Sequence, residues 1–476
     1  MSAILSDNFR FYNLDNFINS LSSNSIYMFI GRSNKWDDEN NPPTPLDNSA
    51  YRRDDYDQMI ALKKLSSSDV IPVINRIDWQ SGTTYDMYRP DYTTGNTEGN
   101  STRYPFKLSS SSASSLYYGA TFYVKNQFYQ VYKCLYNGQS PLNPGGVPST
   151  VEPTGDSPSP ITTSDGYRWK YMYTIPTYYV LNFINDNYIP VPYPGSAFPP
   201  ESSVSLYASQ SIGSIDTVVI TNSGSGYNDG HYQVPISGDG SSGVVTITIS
   251  NSQITSAVVT NPGKNYTYAS VYLDPVSLGL GAGSNASIDV IVPPKYGHGS
   301  NPYIELGAYK LMIHTSLKYN ESSAFPTDTS YRRIGLISNP YKKGTTNIAT
   351  DTYISQLYSV QFSSVSGNFQ VGMGISQTST NARGVVASWS AGSSTLSYYQ
   401  DRFDGTYLGS GISFSGSNSI VGTATSGPNI TGTPISSSYT LPGIEKSTGR
   451  IMYIDNRIAV NRSANQTEDI KVVVEF

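Results

Sequence analysis

Charge is scarce in this sequence. Charged residues account for 14% of its 476 residues, and the formal net charge is −5. No run rich in Lys or Arg is present, whereas nucleic-acid-binding domains carry clustered basic side chains. A nucleic-acid partner is therefore not expected.

Cysteine is almost absent. The single cysteine, Cys134, has no second cysteine in the chain with which to form a disulfide. We expect it to be buried as a small apolar side chain. This use of cysteine is typical of a protein that is made and kept in a reducing cytosol.

Long apolar segments are missing as well. No window reaches the ~20 apolar residues that a membrane-spanning helix needs. The N-terminal sequence MSAILSDNFRFYNLDNF lacks the basic start and the apolar core of a signal peptide. The sequence therefore predicts no membrane partner.

Motifs of catalysis and cofactor binding are also absent. The HExxH, GxSxG and P-loop patterns do not occur. Gly279, Gly281 and Gly283 resemble a dinucleotide-binding loop, but no crossover helix follows, so we expect a β-turn. The chain's histidines are scattered and lack the spacing of zinc ligands: His231, His298 and His314.

Two acidic stretches are candidates for calcium binding, Asp37-Asp38-Glu39 and Gly238-Asp239-Gly240. Neither spaces its oxygen ligands as a calcium loop does, so a solvated charge run and a hairpin turn are the simpler interpretations. We assign no catalytic residue, no cofactor and no metal site. Paired catalytic carboxylates stay open, because their pairing is spatial.

Tyrosine and turn residues are abundant. The chain has 40 Tyr against 15 Phe, together with 41 Gly and 29 Pro. Tyrosine suits half-wet sheet surfaces and interfaces, and frequent Gly and Pro provide the turns of an all-β fold. The sequence thus predicts a mainly β, multi-domain β-sandwich architecture with a few short helices.

The stretch DGYRWKYMYTIPTYYVLNFINDNYIPVP, residues 165–192, is predicted to hold the central strand. Its aromatic residues alternate with mostly polar ones, which predicts one aromatic face and one mostly polar face. Such a row of rings needs a second layer to cover it. We therefore expect Trp169, Tyr171 and Tyr173 to be core residues.

Other local patterns predict further elements. Residues 50–65 fit a helix, because acidic residues precede Lys63 and Lys64. VIPVINRIDW, residues 70–79, reads as an edge strand because of Pro72. At the C-terminus a second set of core residues is predicted to share one face of a strand that ends inside a sheet: Ile470, Val472, Val474 and Phe476.

Two blocks contain internal repeats. VVITNSGSGY at 218–227 matches AVVTNPGKNY at 257–266, which places Asn222, Gly224 and Tyr227 each 39 residues before an identical residue. In the second block, about 353–437, the matched glycines are Gly372 with Gly409, Gly374 with Gly411, and Gly384 with Gly422. Two inserted β-hairpin repeat modules are the physical interpretation.

Six collinear segments carry a family resemblance: FIGRSNKW near residue 30, VIPVINRIDW, VYKCL at 131–135, DGYRWKYMYTIP at 165–176, YRRIGLISNP at 331–340, and GRIMYIDNRIAVNRSANQTEDIKVVVEF at the end. With them the chain resembles the gene 8 product family, the baseplate wedge proteins of T-even-like contractile-tailed bacteriophages. The resemblance covers roughly residues 1–195, 300–345 and 443–476. The repeat blocks look like hairpin modules that decorate structural proteins of large tailed phages.

The resemblance implies a non-enzymatic structural protein of the virion, located in the tail baseplate and assembled in the host cytoplasm. It implies a homodimer that contacts other baseplate wedge proteins. The β core would comprise residues 1–195, 300–350 and 441–476, interrupted by repeat modules at 196–299 and 351–440. Two alternatives stay open: a receptor- or glycan-binding tail protein that uses the repeat blocks, and a tail-associated polysaccharide hydrolase.

Overall fold

The structure, a computed structural model, describes residues 7–46, 54–90, 120–318, 324–327, 329–400, 412–424, 426–463 and 465–476. Its helices are α1 (Asp7–Ser23), α2 (Thr177–Phe183), α3 (Ser202–Gln210) and α4 (Pro302–Glu305). The strands are β1 (Ile26–Gly31), β2 (Met59–Lys64), β3 (Val70–Asn75), β4 (Tyr123–Lys125), β5 (Gln130–Tyr136), β6 (Ile161–Thr162), β7 (Arg168–Thr174), β8 (Tyr188–Pro190), β9 (Thr217–Tyr227), β10 (Gly230–Gly238), β11 (Ser241–Ser250), β12 (Gln253–Lys264), β13 (Ala269–Val271), β14 (Gly281–Ile291), β15 (Lys310–Lys318), β16 (Thr329–Ser338), β17 (Tyr353–Ser355), β18 (Tyr358–Val365), β19 (Gly374–Gln377), β20 (Ala382–Ser390), β21 (Thr395–Tyr399), β22 (Ile420–Thr423), β23 (Ile430–Pro434), β24 (Arg450–Arg462) and β25 (Thr467–Glu475). The prediction of a mainly β chain is confirmed.

The chain divides into two compact units. The first comprises the described residues of Met1–Asn16, Val70–Ile313 and Val472–Phe476, and the second those of Phe17–Asp69 and His314–Lys471. These bounds differ from the predicted segments 1–195, 196–299, 300–350, 351–440 and 441–476. The assignment of those segments as separate domains stays a prediction.

In the first unit, β7 lies in a four-stranded sheet of order β4–β5–β7–β6. A tight turn starts the strand: Gly166 has a φ of +87°, and Asp165 Oδ2 accepts the backbone N–H groups of Thr150 at 2.8 Å and Val151 at 3.0 Å. Beyond the strand, Pro176 is the N-cap residue of α2, which begins at Thr177. Proline suits this place, because its missing N–H is not needed at a helix start.

The mostly polar face of β7 is not exposed to solvent. Lys170 and Met172 are both fully buried, like the aromatic residues between them. The cover comes from α3 and from the loop that precedes α4, since a side chain at Gly299 would lie 2.5 Å from Val204 and 3.1 Å from Lys170 Cε. Alternation predicts which residues share a face, but not whether that face is covered.

The prediction that residues 70–79 form an edge strand is also wrong. β3 lies between β15 and β8 in a sheet of order β25–β15–β3–β8. Pro72 is tolerated because it stands where the pairing with β8 ends: its carbonyl accepts the Val191 N–H at 2.9 Å, one residue beyond the last pair, Val73 with Pro190. The missing N–H of proline therefore costs no ladder hydrogen bond there.

The first repeat block forms two sheets, β12–β11–β10–β13 and β14–β9. They enclose a hydrophobic cluster whose buried members all lie between Ile215 and Val290. The sequence explains the layers, because β11 alternates buried Val245, Ile247 and Ile249 with half-exposed Val244, Thr246 and Thr248. Such alternation is expected of a sheet with one solvated face.

In the second unit, the five-stranded sheet β17–β2–β1–β16–β24 joins three of the segments that carry the family resemblance. The segment FIGRSNKW begins in β1, YRRIGLISNP contributes β16, and the C-terminal segment contributes β24. Strand β1 pairs with β16 so that Ile30 faces Ile334. Gly335 is required at this crossing, because a side chain there would lie 2.3 Å from the Phe29 ring.

The helix predicted over residues 50–65 is wrong in its C-terminal half. Met59–Lys64 is β2, and Met59, Ile60, Ala61 and Leu62 are all buried. β2 lies between β1 and β17, so pairing on both sides outweighs the local charge pattern. Residues 50–53 lie outside the described residues.

The second repeat block contains a closed barrel of order β18–β21–β20–β19–β22–β23, with a cluster of buried residues between Val360 and Ile420. Gly384 and Gly422, matched in the sequence, both pair with Ile375 from opposite sides. Gly409 and Gly411 lie outside the described residues, so the other two glycine matches stay untested.

Candidate functional site

The unusual chemistry of the first unit lies on the buried basic face of β5 and β7. Lys133 and Lys170 pair directly across the two strands, and both side chains are fully buried. Like charges in this arrangement repel each other. Each buried ammonium group therefore needs its own partner to stabilise its charge. The partners of the two lysines differ.

Lys133 belongs to a closed ion pair. Its Nζ lies 2.7 Å from Glu305 Oε2 and 4.0 Å from the centroid of the Tyr88 ring. The Glu305 oxygens also accept the N–H groups of Gly299, at 2.9 and 3.0 Å, and Asn301, at 3.1 Å. Glu305 thus connects the loop before α4 to the sheet.

Lys170 has weaker compensation. Its Nζ donates to the carbonyl of Pro158 and lies 4.3 Å from the Tyr207 ring. No carboxylate lies within ion-pair distance of it in the described part of the chain. Burial lowers the pKa of Lys170 to about 8, although Asp216 and Glu305 oppose this shift.

The other titratable groups of this face are Arg168, which forms an ion pair, and His298, which is neutral. Arg168 Nη2 lies 3.2 Å from Asp216 Oδ1, while burial raises the pKa of the Asp216 carboxyl. Burial, and after it the charge of Lys133, holds the pKa of His298 well below its usual range. His298 is therefore neutral at pH 7, packed edge-on against Tyr88 at 5.0 Å.

This arrangement suits structure rather than catalysis. A lysine with a lowered pKa can serve as a base or nucleophile, but Lys170 is sealed beneath α3 and the Gly299 loop, where a substrate has no approach. Cys134 on the opposite face is buried as predicted, and burial raises the pKa of its thiol. Neither group is placed to react.

The predicted core residues differ in burial. Trp169, Tyr171 and Tyr173 are buried, as is Val472, whereas Val474 and Phe476 are only partly buried. Trp169 stacks on Tyr167, with ring centroids 5.2 Å apart. Tyr173 donates from its hydroxyl to the Pro190 carbonyl at 3.2 Å. The contribution of these residues to stability stays a prediction.

The calcium candidates have partners within the protein. Arg332 Nε donates to both Glu39 oxygens, at 2.9 and 3.0 Å. Asp239 accepts the Thr267 N–H at 2.9 Å and the Thr267 hydroxyl, and these hydrogen bonds lower the pKa of Asp239 to about 2. Among the described residues, no group of three or more His, Cys, Asp or Glu is arranged to hold a metal ion.

Two of the resembling segments meet in an ionic cluster of the second unit. Arg32 lies 3.9 Å from the Trp36 ring, and Arg333 Nη1 lies 2.5 Å from Asp55 Oδ1 with both side chains buried. Arg333 also lies 5.7 Å from the centroid of the Trp36 ring, which joins the two segments. It explains why FIGRSNKW and YRRIGLISNP carry basic residues next to apolar strands.

The first repeat has a defined structural basis. Asn222 Oδ1 accepts the Gly224 N–H at 2.9 Å, and Asn261 Oδ1 accepts the Gly263 N–H at 3.2 Å. Gly224 and Gly263 have φ values of +63° and +61°. Side chains there would collide with the backbone of β14 and β11, respectively, at 2.5–2.7 Å. The two turns are therefore equivalent.

The sequence analysis missed the other half of this repeat. Gly238-Asp239-Gly240-Ser241 and Gly281-Ala282-Gly283-Ser284 are 43 residues apart. Tyr266 packs on the first and Tyr227 on the second, since side chains at Gly240 and Gly283 would meet these rings at 2.4 and 2.0 Å. The stretches considered for calcium and for a dinucleotide are thus two copies of one glycine platform. Their common Gly-x-Gly-Ser pattern was the available signal.

An exposed apolar surface that the sequence did not predict is here called the aromatic tip: Phe128, Tyr129, Tyr178 and Leu181. Phe128 and Tyr129 form the turn between β4 and β5, and Tyr178 and Leu181 lie on the outer side of α2. Ile175 N donates to Tyr129 O at 2.9 Å, which joins the two segments. Phe128 is 58% exposed and Leu181 74%. Clustered exposed rings are typical of protein interfaces.

No helix among the described residues is long and apolar enough to cross a membrane.

Comparison with known proteins gives one family. Phage-Gp8, described as Bacteriophage T4, Gp8, matches residues 3–118 and 120–206. This range contains β1–β8, the basic face of β5 and β7, and the aromatic tip, but neither repeat block.

A relative is the baseplate wedge protein gp8 of Enterobacteria phage T4. It is 29% identical over 222 residues, which cover 40% of this chain and 61% of that protein. The chain thus aligns with about three fifths of the relative's length. The resemblance noted at 331–340 and at the C-terminus lies outside the range that the family matches.

Proposed function

We propose that the chain is a structural subunit of the baseplate wedge of a contractile phage tail, because its residues 3–118 and 120–206 match the Phage-Gp8 family model and it is similar to a baseplate wedge protein. The family match over the β4–β7 sheet is the observation that carries this proposal. The protein acts by shape: its rigid β core presents surfaces that bind neighbouring subunits. Assembly takes place in the host cytoplasm, and the final location is the virion tail.

The aromatic tip is the surface that we assign to a neighbouring wedge protein. It lies within the matched range, and its rings are held by ordered elements rather than by a long loop. Burying exposed aromatic side chains is a main source of interface energy. The partners also include a second copy of this chain, since the resemblance implies a homodimer.

The test measures incorporation into baseplates. Phage particles that lack the native protein are complemented with wild type or with the Tyr178→Ser/Leu181→Ser variant. We expect the variant to melt like wild type, because α2 keeps its buried residues Tyr179 and Phe183. We expect it to reduce the yield of complete baseplates at least tenfold, because the exposed apolar side chains of the aromatic tip are lost.

The matched control is Val258→Ser/Val276→Ser, which alters exposed apolar residues outside the matched range. This control should assemble normally. Normal assembly of the Tyr178→Ser/Leu181→Ser variant would contradict the assignment of the aromatic tip. Sedimentation of the purified wild-type chain tests the homodimer separately, and a monomer at micromolar concentration would argue against it.

The protein is not an enzyme under this proposal. Its buried lysines and thiol are sealed, and the acidic candidates Glu39 and Asp239 are engaged by Arg332 and Thr267. Incubation with host envelope polysaccharide should release no reducing ends. Release that a single Asp or Glu substitution abolishes would instead support the polysaccharide hydrolase.

The two repeat blocks are accessory domains in this proposal. Each has its own buried cluster. Thr217 pairs with Ile291 at the ends of the first block, and Gly443 N donates to Ser355 O at 2.8 Å across the ends of the second. Replacing residues 217–291 or 357–441 by a short Gly/Ser linker should leave a folded, dimerising chain. Aggregation of both variants would show that the blocks belong to the main core.

A further inference from the structure

The outer face of the first repeat block, which lies outside the range that the family model matches, carries a feature here called the tyrosine strip: Tyr268, Ser270 and Tyr272. Tyr268 is 65% exposed and Tyr272 is 74% exposed. The alternate residues of β13, Ala269 and Val271, pack against the buried cluster. The strip therefore projects from the opposite, solvated side of the sheet.

Neither tyrosine has a structural task. Their hydroxyl groups and rings make no hydrogen bond or ring contact with any described residue, unlike Tyr227 and Tyr266, which pack on the glycine platforms. A strand rises ~3.3 Å per residue, so the two Cα atoms are separated by about 13 Å. Two exposed rings at this separation, on one face of an edge strand, form an extended platform.

The adjoining strands continue this face with neutral side chains. Ser270 pairs with Ser237 of β10, Gln233 of β10 pairs with Thr246 of β11, and Thr246 pairs with Val258 of β12. Of the residues paired on this side of β10, β11 and β12, none is Asp, Glu, Lys or Arg. Two carboxylates lie beside the strip: Asp239 accepts the backbone N–H groups of Thr267 at 2.9 Å and Tyr268 at 3.2 Å, and Asp274 follows Tyr272 by two residues.

We propose that this face binds a neutral polysaccharide chain. The two tyrosine rings offer flat surfaces for sugar rings, and the hydroxyl and amide groups beside them donate to and accept from sugar hydroxyls. A neutral chain leaves no charge of its own desolvated on the uncharged side chains of β10, β11 and β12, and the carboxylates of Asp239 and Asp274 beside the strip disfavour an acidic chain. A nucleic acid needs clustered Lys or Arg, which this face lacks.

The test uses the full chain on an array of neutral bacterial and plant glycans, with uronate-containing and sialylated glycans beside them. We expect binding to at least one neutral glycan and none to the acidic set. The Tyr268→Ala/Tyr272→Ala variant should lose at least tenfold in affinity with an unchanged melting temperature. The matched control, Tyr296→Ala, removes a tyrosine that is equally exposed but lies outside the strip, and it should bind like wild type.

Three results would overturn the proposal: no binding to any neutral glycan, equal binding by the double variant, or equal losses in both variants. A change in self-association by the Tyr268→Ala/Tyr272→Ala variant, without glycan binding, would identify a second copy of the chain as the occupant instead. The inference does not rest on the wedge function. The same variant should still enter baseplates normally, so failure of either proposal is seen separately.

Discussion

Strands β7 and β25 contain the residues that the sequence marks as core, except Phe476, which follows β25 directly, yet the protein uses the two strands differently. β7 lies between β5 and β6 and is buried on both faces. β25 is the edge strand of its sheet, and only its even positions up to Val472 are buried. Both strands show the same alternation in sequence. Alternation therefore identifies which residues share a face. The number of neighbouring strands and covering layers decides how deeply that face is buried and how much it contributes to stability.

The largest effect should come from the interior strand. Trp169→Ala removes a fully buried ring that stacks on Tyr167 and meets Tyr85 edge-on at 5.9 Å. We expect a loss of about 3–5 kcal/mol in unfolding free energy, as for other large-to-small core changes. Urea denaturation of the purified protein measures it. The control, Leu181→Ala on the exposed side of α2, should change stability by less than about 0.5 kcal/mol.

An unchanged melting temperature for Trp169→Ala, together with weaker partner binding, would mean that the ring serves an interface. It would also remove the contrast between β7 and β25, because the interior strand would then be no more sensitive than the edge.

The basic face of β7 should be nearly as sensitive, through its neighbour on β5. Lys133→Met leaves the Glu305 carboxylate buried without its cation, which typically costs about 3 kcal/mol or more. Adding Glu305→Gln to this variant should restore part of the loss, because the buried charge is then gone. The measurement is the urea midpoint of both variants. A double variant that is less stable than Lys133→Met would show that the carboxylate serves mainly the loop amides.

The edge strand should tolerate more. Deleting Val474–Phe476 removes two half-buried side chains and the Arg10–Glu475 ion pair, whose N–O distance is 3.2 Å and whose glutamate is exposed. We expect a loss of about 2 kcal/mol, about half the value for full burial of two such residues. Extending the deletion to Val472 should add about 2 kcal/mol. Thermal melts of the nested deletions measure this step, and equal melting temperatures would place the edge of the core before Val472.

The smallest effect concerns Lys170 and depends on pH. Its pKa of about 8 lies below the value of 10.5 in the unfolded chain. Between these pH values the unfolded state binds more protons, so Lys170 makes stability rise with pH across this window. Lys170→Met should therefore gain about 1 kcal/mol over wild type at pH 7, and the gain should shrink towards pH 10.5. The gain is small because the hydrogen bond to Pro158 and the contact with Tyr207 are lost. A gain that is constant with pH would show that Lys170 is charged throughout.

Local periodicity was sufficient for the strand at Tyr167–Tyr173 and for the glycine turns of the first block. It was insufficient for Pro72. The pairing of β3 with β8 ends at Val73 and Pro190, and Pro190 lies more than a hundred residues further along the chain. It also failed for residues 59–64, where pairing with β1 and β17 overrides the helix-like charge order.

The basic face illustrates the limit for charged residues. The sequence shows Lys170 as one polar residue in an alternating strand, and nothing local indicates that Lys133 stands opposite it. Glu305, which compensates Lys133, lies 172 residues further along the chain. The aromatic tip was missed for the same reason, since the turn that holds Phe128 and the segment that leads into α2 are joined by the hydrogen bond from Ile175 N to Tyr129 O, which local sequence does not show.

The two ends of each repeat block lie next to each other. Thr217 pairs with Ile291 in the first block, and Gly443 N donates to Ser355 O at the second. A coding segment for such a block can be gained, exchanged or lost in one recombination event, because the flanking chain keeps the same two end points. Such an exchange changes the surface that the block presents and leaves the two ends of the flanking chain in place.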